Sequence, residues 1–187
     1  MVTTKSRTAR KPATRSRSSA HATGALPTRL EHAERGFVAS SRLTDDLQRV
    51  LVDLIELSVQ MKQAHWAVVG RNFRDLHLQL DEITETARTL SDEVAERLRA
   101  LHAVPDGRSA TVAAATALPP YPDGEVDTAE TVDLVTVRLE TVVRTAREVH
   151  DEVDEEDPTS ADLLHQVIAA LEQLAWMVSA ENRTPST

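Results

Sequence analysis

From Leu43 to about Val69 apolar side chains recur at i, i+3, i+4 and i+7, through Leu43, Leu47, Val50, Leu51, Leu54, Ile55 and Met61. That period predicts a long helix with one buried stripe. It returns from about Phe73 to Ala103 through Leu76, Leu80, Ile83, Ala87, Leu90, Val94, Leu98 and Leu101, a second helix that Pro105 and Gly107 should end. Gly70 is expected just past the last turn of the first helix and Asn72 as the cap of the second, with Asp75 favouring its first turn. So short a link makes the two helices antiparallel neighbours. Residues 105 to 126 read as a crossover rich in Pro, Ala and Gly, in which TVAAATAL at 111 to 118 makes a short helix. Asp127 with Glu130 forms a capping pair for a third helix carrying Val132, Val135, Leu139, Val142, Val143, Ala146 and Val149 to about Val153. A fourth begins near Thr159 or Ser160, with Leu163, Leu164, Val167, Ile168, Leu171, Leu174 and Val178 on one stripe and Trp176 as a core or interface residue. The fold class is all-α: a four-helix bundle over 38–182 with a long crossover between the second and third helices.

Composition narrows this further. The 187 residues contain no cysteine, which excludes disulfide scaffolds and thiolate metal ligands. Aromatic residues are 3% and glycines number five, too little material for a β-sandwich or a glycine-rich nucleotide loop. Charge divides the chain in two. Lys5, Arg7, Arg10, Lys11, Arg15 and Arg17 stand among Ser, Thr, Ala and Pro, with no acidic residue before Glu31. Residues 1–37 are therefore expected to be a flexible basic arm, for which contact with nucleic-acid phosphates is favoured over an idle solvated tail or an organellar transit peptide. Counting Arg29, residues 1–30 hold seven of the 21 basic residues, so the remainder of the chain sets 14 against all 30 acidic ones, a net charge of about −16. No secretory core segment is present, no run approaches a membrane span, and 183–187 is too short for a second basic tail.

The chemistry concentrates between His65 and Glu96. His77 and Asp81 are four apart, as are Asp92 and Glu96, so the four form one polar stripe on the second helix. Two histidines and several carboxylates at this spacing are expected of a metal site. The pairs lie fifteen residues apart, about 22 Å along the axis, so one metal cannot touch both. The economical completion is the same helix of a second copy running antiparallel across a two-fold axis, which gives two equivalent sites per dimer. His65, near the end of the first helix, is brought towards His77 and Asp81 by the hairpin. Glu82, Glu85 and Glu93 read as surface charge, and His21, His32, His102, His150 and His165 lack a partner set at ligand spacing.

The run KQAHW at 62 to 66, then His77, Asp81, Asp92 and Glu96, then DPTSADLL at 157 to 164 before AW at 175 to 176, resembles the Dps family of ferritin-like miniferritins over roughly residues 38 to 182. The resemblance implies a hollow shell of twelve subunits with a ferroxidase site at each dimer interface, holding two irons. His65, His77 and Asp81 would come from one chain, Asp92 and Glu96 from its partner, and Trp66 would lie beside the site. It implies oxidation of Fe(II) by hydrogen peroxide and mineralisation of Fe(III) inside the shell. The acids Glu155, Glu156, Asp157 and Asp162 would line a three-fold iron-entry pore, and non-specific DNA binding through the arm would place the particle in the cytoplasm at the nucleoid. The second function class is a structural DNA-compacting particle in which metal handling is minor. Larger ferritins fit worse, because their Glu-x-x-His pairs are missing.

Overall fold

The structure, a computed structural model, describes Met1 and residues 36–185. In chain order it contains α1 (Ser41–Ala67), β1 (Val68–Val69), α2 (Phe73–Ala100), α3 (Ser109–Ala115), β2 (Val126–Asp127), α4 (Thr128–Glu156), α5 (Pro158–Ser179) and a 3₁₀ turn at Ala180–Asn182. The four long helices turn their apolar stripes onto one core. Leu47, Leu54 and Met61 meet Leu80, Ile83 and Val94, and Val135, Leu139 and Val142 meet Leu164, Val167 and Leu171, all fully buried. Each large aliphatic side chain removed from water contributes about 1.5–3 kcal/mol. The four-helix bundle is thus the architecture the periodicity predicts.

Local chemistry sets the helix ends, and here the sequence reading needs correction. Ser40 starts α1, its Oγ accepting from the Leu43 N–H at 3.1 Å, and Asp127 starts α4 by accepting from the N–H groups of Ala129 and Glu130 at 2.8 and 3.1 Å. α1 stops at Ala67 rather than at Gly70, because Val68–Val69 leave the helix to pair in parallel with Val126–Asp127. Gly70 is needed instead for the turn that follows, at φ +117°, with Thr128 close against it. Asn72 precedes α2 in the left-handed region, φ 61°, and its side chain donates to Glu181 at 2.9 Å, not to the helix start. α2 ends at Ala100, short of Pro105. His102 takes the left-handed position, and the N–H groups of His102 and Ala103 bond back to the carbonyls of Arg99 and Leu98, a Schellman closure without glycine. α3 lies two residues earlier than its sequence segment, and α5 begins at Pro158 itself.

The β1–β2 bridge brings the end of α1 and the start of α4 to one end of the bundle. The crossover must therefore climb the whole length of α2, 28 residues or about 42 Å. It is pinned on the way by Gln48, whose amide exchanges two 2.9 Å bonds with the Asp106 backbone, and by buried Asp53, which accepts from Thr116, the Ala117 N–H and Thr145. Buried Arg138 donates to the carbonyls of Pro119 and Pro120. Against expectation, one segment, Pro158–Asn182, has the length and mean hydropathy (1.2) of a membrane span. Its apolar face is bundle core, and Asp162, His165 and Glu172 lie exposed on the other.

Candidate metal centre

His65 sits in the last turn of α1 and His77 in the second turn of α2, on either side of the short link. The rings stack with centroids 3.5 Å apart and planes 25° from parallel. Two reciprocal bonds hold them: His65 Nδ1 is 3.0 Å from the His77 carbonyl and His77 Nδ1 is 3.0 Å from the His65 carbonyl. The second bond has a local origin, since the last carbonyls of α1 have no intrahelical donor and that of His65 is free to receive one. A carbonyl oxygen only accepts, so Nδ1 of each neutral ring carries the proton and Nε2 carries the lone pair. This is the arrangement in which an imidazole serves as a metal ligand, its other nitrogen fixed by the backbone.

Asp81, one turn beyond His77, completes the cluster. Its Oδ1 lies 3.2 Å from His65 Nδ1 and 2.7 Å from Lys62 Nζ. The hydrogen bond from Lys62 is the main reason that the carboxyl titrates below its ordinary value, with the two histidines adding to it. Lys62 belongs to the site and the sequence reading passed over it; its signal was a position one turn before His65 on the same helix face. Around the cluster, Val59 and Trp66 on α1 and Phe73 and Leu78 on α2 are exposed apolar groups, and the Phe73 ring stands 4.9 Å from that of His77.

The structure brings His65, His77 and Asp81 together and leaves Asp92 and Glu96 apart from them, both exposed, farther along α2. Among the described residues no three His, Asp or Glu side chains converge as a metal-holding group within the single chain. The separation of Asp92 and Glu96 from the histidines is what an α2 of 28 unbroken residues dictates.

The four acidic candidates at the α4–α5 turn differ in their surroundings. Asp157 is buried, receives Arg97 Nη2 at 2.6 Å and also bonds Ser160. Burial raises its carboxyl, but the bonds from Arg97 and Ser160 outweigh that and hold it below the ordinary range. Glu156 accepts from the Ser40 N–H at 2.7 Å and from its hydroxyl at 2.6 Å, which lowers its titration too. Glu155 and Asp162 are exposed. The DNA-contact candidates Lys5, Arg7, Arg10, Lys11, Arg15 and Arg17 lie outside the described residues. A correction concerns His150 and His165. Expected to lack partners, they meet across the same turn, Nε2 to Nε2 at 2.7 Å. The reading missed them because it sought partners along one helix. The signal was their symmetry about the turn, His150 seven residues before Asp157 and His165 seven after Pro158.

A ferritin-like domain family matches residues 44–184. The chain is 37% identical over 134 residues to DNA protection during starvation protein 2 of Deinococcus radiodurans, a match taking in 72% of this chain and 56% of that relative's length. It is 33% identical over 138 residues to the fine tangled pili major subunit of Haemophilus ducreyi, covering 74% of this chain and 73% of the other. Among solved structures, the crystal structure of Dps92 from Deinococcus radiodurans superposes with a TM-score of 0.74 at 36% identity, over 77% of this chain and 88% of that one.

Proposed function

The chain belongs to the ferritin-like family, in its Dps branch, and from that premise we propose that it oxidises Fe(II) with hydrogen peroxide at sites shared between two copies and stores the Fe(III) as mineral within a closed shell of twelve. One observation carries the reading. His65 and His77 stack with the Nε2 lone pair of each ring uncommitted, Asp81 lies against the same histidine pair at His65 Nδ1, and the matching carboxylates Asp92 and Glu96 stand about 22 Å down the same helix. An antiparallel second copy seated on the α1–α2 face brings the two halves together, and the exposed Val59, Trp66, Phe73 and Leu78 are the apolar groups that such a contact covers.

Imidazole and carboxylate suit Fe(II), and so few ligands per iron leave positions for peroxide and water. Two Fe(II) substrates each give one electron to one peroxide; its O–O bond breaks, two protons are taken up, and two waters leave without releasing hydroxyl radical. Glu155 and Asp162 are the exposed acids suited to guiding cations, while Asp157 and Glu156 orient the segment that carries them. The basic arm binds DNA phosphates without reading sequence, placing the particle in the cytoplasm at the nucleoid.

The test is peroxide consumption and Fe(II) oxidation by purified protein, with particle mass measured on the same sample. Replacing His77 and Asp81 together by alanine should abolish the fast phase while leaving the mass unchanged. An unchanged fast phase would overturn the site.

A further inference from the structure

We propose that His150 and His165 form a second binding site, for a divalent transition-metal ion of the zinc type, at the opposite end of the bundle from His65 and His77. His150 is near the end of α4 and His165 is in the second turn of α5, their ring centroids 4.5 Å apart and planes 32° from parallel. At 2.7 Å the two Nε2 atoms cannot both carry protons: either one ring donates its N–H to the other, or both present lone pairs, which a cation between them would draw together. The outer nitrogens decide which nitrogen holds each proton. His150 Nδ1 is 3.0 Å from Asp151 Oδ1, and a carboxylate accepts, so this ring keeps its proton on Nδ1 and its lone pair on Nε2. His165 Nδ1 faces Asp162 Oδ1 at 3.7 Å, an attraction that favours the same tautomer. Both lone pairs then converge on one point.

That convergence is the metal-site pattern: imidazole ligands whose outer nitrogens face carboxylates. Imidazole is the donor that suits zinc and its neighbours, whereas calcium and magnesium take oxygen. Zn–N bonds of about 2.0–2.1 Å at a tetrahedral centre set two nitrogens about 3.3 Å apart, so the rings need open by only about 0.6 Å. The His165 side chain is 60% exposed and has room for that movement. The rings border an open cavity of about 270 Å³ also lined by Arg147 and Glu172, which pair at 2.5 Å. Water can thus fill the remaining coordination positions, as two protein ligands require. None of these residues belongs to the proposed ferroxidase set, so the inference stands apart from that reading.

The test uses the full-length assembled protein carrying His65→Ala and His77→Ala, titrated with zinc chloride by calorimetry. One zinc per chain should still bind. Adding His150→Ala and His165→Ala should weaken that event at least about tenfold, since even losing an outer-sphere partner costs about 10–100-fold. Zinc binding that is equal in the two proteins would overturn the site. His165→Ala alone, at an exposed position, repeats the comparison if the double change disturbs folding. In zinc-soaked crystals of the unaltered protein an anomalous peak is expected between the two Nε2 atoms, and no peak there would overturn the proposal as well.

Discussion

Lys62 Nζ stands 2.7 Å from Asp81 Oδ1, an ion pair that spans α1 and α2 and occupies the carboxylate assigned to iron. The ammonium and an incoming cation compete for the same oxygen. Exposed pairs of this sort are weak and screened by solvent. Lys62→Met should therefore tighten Co(II) binding at the shared site by up to about fivefold, read from a Co(II) titration of the assembled particle. Weaker binding in the variant would make Lys62 an organiser of the site rather than a competitor for it.

Mixing two inactive proteins provides the test of shared ownership. A His65→Ala/His77→Ala chain and an Asp92→Ala/Glu96→Ala chain, dissociated and reassembled together, should form heterodimers in which one interface site is whole. Oxidation should partly return. Reassembled mixtures that stay inactive would show that each chain carries its own complete site.

Acid should reveal the pair at the α4–α5 turn. Asp157 titrates below its ordinary 3.8 in the folded protein because of Arg97 and Ser160, despite burial. A carboxyl with a lowered folded value contributes stability above its unfolded value and loses it as the pH falls through the folded one. Arg97→Met should cost about 1.5–3 kcal/mol at neutral pH, and the difference should shrink as the pH drops below about 4. Urea unfolding of both proteins between pH 3 and 7 measures it; a difference independent of pH would assign the loss to packing.

Removing residues 1–19 should abolish DNA retention in a gel shift, because the body is strongly acidic and the six basic residues of that stretch are the candidates for phosphate contact. The salt slope of the intact protein should be at least about −5 in log–log form, the value for six phosphates on one arm. Many arms on one particle strengthen retention through local concentration. Equal shifts from the intact and shortened proteins would remove the arm from the account.

The sequence was most informative where one helix carries its own evidence. The period of α2 placed His77, Asp81, Asp92 and Glu96 on one stripe, and their axial distance called for another element to complete the set, most economically the same helix of a second copy. It was less informative where partners come from different segments. Gly70 looked like a helix terminator, but the β1–β2 bridge, formed with residues far along the chain, ends α1 earlier. Asn72 looked like a cap until Glu181 claimed its amide. His150 and His165 were passed over because they stand on different helices; only the tight turn between those helices makes them neighbours.

The same bridge has a kinetic consequence. The α1–α2 and α4–α5 hairpins close over short turns, whereas Val68 and Val126 are 58 positions apart. Closing so long a loop loses more chain entropy, and little returns until both hairpins are formed and docked. The crossover should thus be the last segment to gain protection from solvent exchange during refolding. Pulse labelling should show the amides of residues 109–126 acquiring it after those of the α1–α2 core, so the strap that clamps the finished bundle plays no part in guiding its assembly.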